Sequence, residues 1–257
     1  DLNSRQFVAL RIYTFFIYIT IQKLKLSHLL TSHNIATSLN DRVRQYREIN
    51  RHMAPQKYEK VYCISCQYQC EIYPRPTIKS INCIETRYCV WPDKNIYLKN
   101  GVHCFLINKH YNFSNSGFIF VDFSRYNIRL FTNNKWLEYL IKTGLRVVLI
   151  ADRLAQPLAL YWKHRCQQII SIINASDTRH EIGKKIQLSF LGQRDGRGYR
   201  QKLSDQEVLV LDLLLAEKSI KQIANELQMA EKRIYAIKLS LQNKMGGRGK
   251  LNIILSG

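Results

Sequence analysis

The feature that most constrains the fold is a change of apolar rhythm near residue 192. Before it, short β-branched and aromatic runs alternate with amphipathic stretches; after it, the apolar repeats are all helical. Phe118-Ile-Phe-Val121 is a short apolar run ending at Asp122, the pattern of a strand buried on both faces. Residues 134–143 predict a helix with Trp136, Leu137, Leu140 and Ile141 on one face and Gly144 as its stop. Residues 146–150 and 168–173 are two more buried strands. Between them, residues 157–164 predict a short helix with Pro157 in its first turn, and residues 177–191 predict another helix. Strand–helix alternation of this kind implies a parallel sheet with right-handed crossovers. The expected first domain is therefore α/β and runs over residues 80–191.

Residues 192–200 carry three glycines and three arginines, a flexible basic linker. Residues 201–257 are expected to form an all-α domain. Ser204 with Glu207 three residues on forms a capping box, and the helix it opens runs to about Glu217. A second helix begins at Ser219, with Ile220, Ile223, Ala224 and Leu227 on one face. After the turn Gln228-Met-Ala230, a third helix runs from Glu231 to about Lys244 with Ile234, Ile237 and Leu241 as its buried stripe. Two short helices joined by a tight turn make a helix-turn-helix, with small Ala224 where the helices cross. The outward face of the third helix then presents Lys232, Arg233, Tyr235, Ala236 and Lys238. Lys232, Arg233 and Tyr235 are candidates for base edges, and Ser219, Lys221 and Lys238 for the DNA backbone, Lys221 and Lys238 through phosphate. Ala236 permits close approach or meets a thymine methyl. A fourth helix near 250–255 ends in Ile253, Ile254 and Leu255, expected to pair two such domains.

At this point the sequence resembles the LuxR-type C-terminal domain. The likeness is carried by Leu203-Ser-Asp-Gln-Glu207, Val210-Leu211, Ser219, Lys221, Ile223-Ala224, Leu227, Ile234 and Lys244-Met245-Gly246. It departs from that pattern at Gln206, where Arg is usual, and at Glu217, where Gly is usual, which suggests a tighter or differently capped turn. Ala230, Arg233, Tyr235 and Ile237 replace the common Ser, Thr, Lys and His. Upstream, Phe118–Val121, Trp136-Leu137, Val147–Ala151 and Leu160–Trp162 resemble enterobacterial regulators of fimbrial operons of the EcpR/MatA kind, whose N-terminal half resembles a degenerate response-regulator receiver. The fold class implied is an α/β pseudo-receiver-like domain followed by a LuxR-type helix-turn-helix domain. The resemblance implies a cytoplasmic, sequence-specific regulator of fimbrial genes, acting as a homodimer or heterodimer on double-stranded DNA, with RNA polymerase as a further contact. Asp122 then stands where a phosphoacceptor would lie. The acidic pair for Mg²⁺ is missing, Ala151 replaces a Ser or Thr, and Asn174 replaces a Lys, so a polar strand-end role is expected.

The net charge of +20, from 39 Lys+Arg against 19 Asp+Glu, favours a polyanionic partner. The Phe7–Ile21 run is interrupted by Arg11 and falls short of the roughly 18–20 residues of a membrane span, so no membrane role is expected. Cys63-x-x-Cys66-x-x-x-Cys70, with Cys83 or Cys89, is the one arrangement that invites zinc or redox sensing. No second CxxC or HxxxH accompanies it, so unpaired thiols in a reducing compartment, and no metal or cofactor, are expected. His103, His110 and His164 are isolated, and there is no nucleophile elbow, phosphate loop or HExxH, which argues against an enzyme. Residues 1–79 receive no assignment. The first Met is Met53, and residues 1–52 are read either as part of a longer chain or as translated upstream sequence.

Overall fold

The computed structural model describes residues 58–107, 117–191 and 201–247, together with 249, 251 and 255. The Phe7–Ile21 run, His110, the 192–200 linker and Ile253-Ile254 lie outside the described residues. Four parallel strands form the main sheet: β3 (Tyr88–Trp91), β4 (Phe118–Phe123), β5 (Arg146–Ala151) and β6 (Ile169–Asn174), in that spatial order. The register sets Phe120 beside both Val90 and Val148, so the apolar runs stack side by side. Every residue of β3 and β4 is buried, as continuous apolar strands covered on both faces require.

The segment 58–79, unassigned from sequence, contains structure. β1 (Val61–Tyr62) pairs antiparallel with β2 (Glu71–Tyr73), and Cys63 bridges antiparallel to Cys89 on the outer edge of β3. This short pair covers the edge of the parallel sheet, which would otherwise expose unpaired backbone groups. A one-turn helix, α1 (Ile78–Ile81), follows, capped by the Thr77 hydroxyl.

Alternation places two cores on the two faces of the sheet. On one face Tyr88, Val90, Phe118, Phe120, Val148 and Ile173 meet α2 (Ile96–Ile107) and α5 (Arg179–Phe190) through Val102 and Ile186. On the other face lie a 3-10 helix (Arg125–Phe131), α3 (Lys135–Ile141) and α4 (Gln156–Arg165). There Phe123 stacks on Phe131 at 4.1 Å, Trp136 meets both edge-on, and the Trp162 indole N–H donates to the Phe131 carbonyl at 2.7 Å. This aromatic core carries α3 and α4, and α4 in turn carries the C-terminal helices. The strands and helices expected between 118 and 191 are all present, within one or two residues of their expected ends.

The helical unit consists of α6 (Asp205–Leu215), α7 (Ile220–Leu227) and α8 (Glu231–Lys244). Leu203, Val210, Leu211, Ile223, Ile234, Leu241 and Met245 close its core. Gly249, Leu251 and Leu255 are helical, with Leu251 fully buried. Among the described residues no helix is long and apolar enough to cross a membrane.

Candidate nucleic-acid interface

The first two helices of the C-terminal unit start and stop for local reasons. At α6 the Ser204 hydroxyl accepts from the Glu207 N–H, and the Glu207 carboxylate accepts from the Ser204 N–H at 2.7 Å. Ser219 and Gln222 make the same reciprocal cap at α7. The α6–α7 turn is a Schellman motif: Lys218 N–H donates to Leu213 and Glu217 N–H to Leu214. Glu217 occupies its left-handed position at φ +61°. The left-handed position at this turn is thus held by a residue with a side chain where the family pattern usually has glycine. The α7–α8 turn repeats the device, with Gln228 at φ +51° and Met229 N–H donating to Ala224.

These turns set the angle at which α8 leaves α7. Ala224 is buried at the crossing, and Ile234 and Leu241 pin α8 against its neighbours. Ile237, expected in that stripe, is only half-buried. Glu207 adds a polar clamp: buried at the start of α6, it accepts from Ser240 Oγ at 2.6 Å and from Lys244 Nζ at 2.8 Å, both on α8. Burial alone would raise its pKa. Hydrogen bonds from Lys244, Ser240 and the Ser204 N–H outweigh that and hold it below the ordinary value. Glu207 and Lys244, both part of the sequence resemblance, are thus joined by one ion pair.

The face so positioned is open. Lys232, Arg233, Tyr235 and Ala236 on α8 are exposed, as are Ser219 and Lys221 at the start of α7; Lys238 is half-buried. The Ser219 oxygen is used as a cap acceptor, which leaves its O–H as the group able to meet a phosphate. One contact had no signal in the sequence: the Arg233 guanidinium donates to Gln206 Oε1 at 3.3 Å. Gln206 and Arg233 are two of the departures from the family pattern, and they touch. An arginine at 206 would set two like charges together; glutamine supplies an acceptor.

The other candidates resolve differently. Asp122 is buried, its carboxylate accepting from Asn95 Nδ2 at 3.3 Å. The acidic residues of the flanking strands' loops are otherwise engaged: Asp93 pairs with Lys99 at 2.8 Å, and Asp152 accepts from the backbone N–H groups of Arg125, Leu154 and Ala155. Cys63 and Cys89 are buried in the β1–β3 seam, whereas Cys66 and Cys83 are exposed. Among the described residues no three His, Cys, Asp or Glu side chains converge as a metal site would require.

A capped helix-turn-helix with an open basic and aromatic helix face defines the class: a DNA-binding protein. The family match of the C-terminal residues agrees with this. Residues 62–190 match the EcpR N-terminal domain, and residues 201–256 match the bacterial regulatory proteins of the luxR family. The protein YqeH of Escherichia coli (strain K12) is 32% identical over 192 residues, covering 75% of this chain and 91% of that one. The Vi polysaccharide biosynthesis protein TviA of Salmonella typhi is 20% identical over 168 residues, covering 64% and 93%. Among solved structures, the complex of the two-component response regulator RcsB with DNA is matched at 18% identity, over 61% of this chain and 80% of that one, with a TM-score of 0.32. This chain belongs to the luxR family of bacterial regulatory proteins, with an N-terminal domain of the EcpR type. It is a DNA-binding transcription regulator of LuxR type, whose activity is binding.

Proposed function

We propose that the chain is a sequence-specific transcription regulator of fimbrial genes that binds a two-part DNA site as a dimer. The observation that carries the reading is the exposed face of α8, with Lys232, Arg233, Tyr235 and Ala236 side by side on a helix anchored by Ile234 and Leu241. In the major groove, Lys232, Arg233 and Tyr235 read base edges, and Ala236 permits close approach. Lys221 and Lys238 neutralise phosphates, and the Ser219 hydroxyl joins them at the start of α7. The fimbrial assignment is supported by the likeness of residues 62–190 to the EcpR N-terminal domain. Chromosomal DNA as the partner puts its site of action in the cytoplasm, where contact with RNA polymerase completes regulation.

The test is binding of the full chain to its own upstream DNA and to neighbouring pilus-operon promoters, titrated with salt and competitor. Binding that survives competitor, and that falls about 10³-fold or more between 50 and 200 mM salt, is expected from several phosphate contacts. Arg233→Ala and Tyr235→Ala should each lower discrimination by about 1–3 kcal/mol, while Lys221→Ala weakens all sequences alike. Unchanged sequence preference in both α8 variants would sink the assignment. The departures at Ala230, Arg233, Tyr235 and Ile237 around the recognition helix also favour a second reading, an auxiliary subunit that pairs with another LuxR-type regulator and has weak DNA contacts of its own. DNA affinity that appears only when that partner is added would select it.

A further inference from the structure

We propose that Leu239 reads the 5-methyl group of thymine in the major groove, so that each half of the target carries a fixed thymine; this rests on the reading of α8 as the helix that enters the groove. Leu239 lies outside the residues that the sequence pattern selected. It is 43% exposed, and Tyr235, four positions before it, is 58% exposed. Among the described residues of the helical unit these are the two large apolar side chains left in solvent. No large apolar side chain of α6 or α7 is exposed in this way, so the apolar surface is confined to α8.

The place of Leu239 on the helix follows from the buried side of α8. Ile234 and Leu241 are fully buried there. Two residues along an α-helix turn the chain by about 200°, so the side chains two positions from these lie on the opposite side. Those positions are Lys232, Ala236, Leu239 and Asn243, and all four are exposed. Leu239 therefore stands in the middle of the outward stripe. Lys232 heads that stripe and exposed Arg233 follows it, so the apolar side chain sits on a surface suited to a polyanion. Ala236, one turn before Leu239, lets the helix approach closely. The thymine methyl is the one apolar group that base edges present in the major groove. Leucine has no donor or acceptor. Against adenine or cytosine it would cover an amino group without a partner, and against guanine two acceptors, so those bases are disfavoured.

The test starts from the full chain and a pool of random-sequence duplexes, with bound DNA recovered in the presence of competitor. A thymine fixed at one position of each half-site is expected. Replacing it by deoxyuridine removes the methyl group alone, and should weaken binding by the native chain about fourfold per half-site, the worth of one buried methyl. Leu239→Ala should bind the thymine and uracil duplexes alike, at the level of the native chain on uracil, with unchanged affinity for unrelated duplex DNA. The position is exposed and alanine favours helix, so the variant keeps its fold. Native binding that is insensitive to uracil overturns the proposal and leaves sequence-specific binding standing. So does a Leu239→Ala variant that remains as sensitive to uracil as the native chain. Weaker self-association of Leu239→Ala without DNA also overturns it, by assigning the leucine to a protein contact. Binding that competitor abolishes for every sequence removes both the proposal and the reading of α8 beneath it.

Discussion

At the level of single residues, the departures from the family pattern have physical consequences that can be measured one at a time. Glu217 holds a left-handed conformation that costs an L-residue with a side chain roughly 1–2 kcal/mol. Its compensation is slight: Arg129 lies 3.8 Å away, with both side chains largely in solvent, where an ion pair contributes little. Glu217→Gly relieves the strain but adds freedom to the unfolded chain. The net expectation is a gain of about 0.5–1 kcal/mol, read as a rise in the urea midpoint at unchanged slope. A loss of stability would mean that the Arg129 contact outweighs the backbone term. The helical phase of the sequence correctly exposed Lys232, Arg233, Tyr235 and Ala236, because phase depends only on neighbours three and four residues away. The Arg233–Gln206 contact spans 27 positions and two helices, and no local pattern encodes it.

Among the elements, legibility followed length. β4, β5 and β6 are six residues each and mostly apolar, so they stood out. β1 and β2 have two and three residues and exist through pairing with each other and the Cys63–Cys89 bridge, a long-range condition invisible in a local window. β3 and α2 also went unassigned: β3 is four residues cut off by Pro92, and α2 carries Gly101 and Asn100 at its centre. α2 shares its face of the sheet with α5, opposite α3 and α4, although β3, β4, β5 and β6 are crossed in one direction. Connections that all kept one hand would put α2 with α3 and α4. In the helical unit, Glu207 is the joint that ties α6 to α8. Glu207→Gln preserves the cap but loses the charged partner of Lys244, with an expected loss of about 1–2 kcal/mol at pH 7. The Glu207 carboxyl is depressed in the folded state, so its contribution is present above the unfolded value of about 4.3 and is lost as pH falls through the folded one. The gap between the native chain and Glu207→Gln should therefore close on acidification. A gap that stays constant to pH 2 would show that the ionised form of Glu207 is not what stabilises the joint.

Over the whole molecule, the helical unit rests on the α/β domain through α6 and its flanks. Thr132 Oγ1 donates to Asp212 Oδ1 at 2.5 Å, Arg165 pairs with Asp205, and Leu203 N–H donates to the Pro157 carbonyl. Among the described residues these links fall on the side of α6, and the exposed face of α8 takes no part. The docked arrangement thus leaves Lys232, Arg233, Tyr235 and Ala236 accessible. Docking also carries a cost at neutral pH. Burial raises the Asp212 carboxyl above its ordinary value, and the Thr132 hydrogen bond only partly offsets this. The negative charge also sits in the last turn of α6, where the helix dipole disfavours it. A carboxyl with a raised folded pKa destabilises the folded state above that pKa, and the penalty disappears as pH falls toward the unfolded value of about 3.9. Asp212→Asn keeps the Oδ1 acceptor for Thr132 and removes the charge. It should stabilise the chain at pH 7 by about 0.5–1 kcal/mol, roughly 1–4 °C in Tm, with the advantage shrinking as pH falls through the raised value. If the substitution lowers Tm at pH 7, the ionised carboxylate is instead a net tie between the domains, and Lys218 and Lys135 around it supply more than burial takes away.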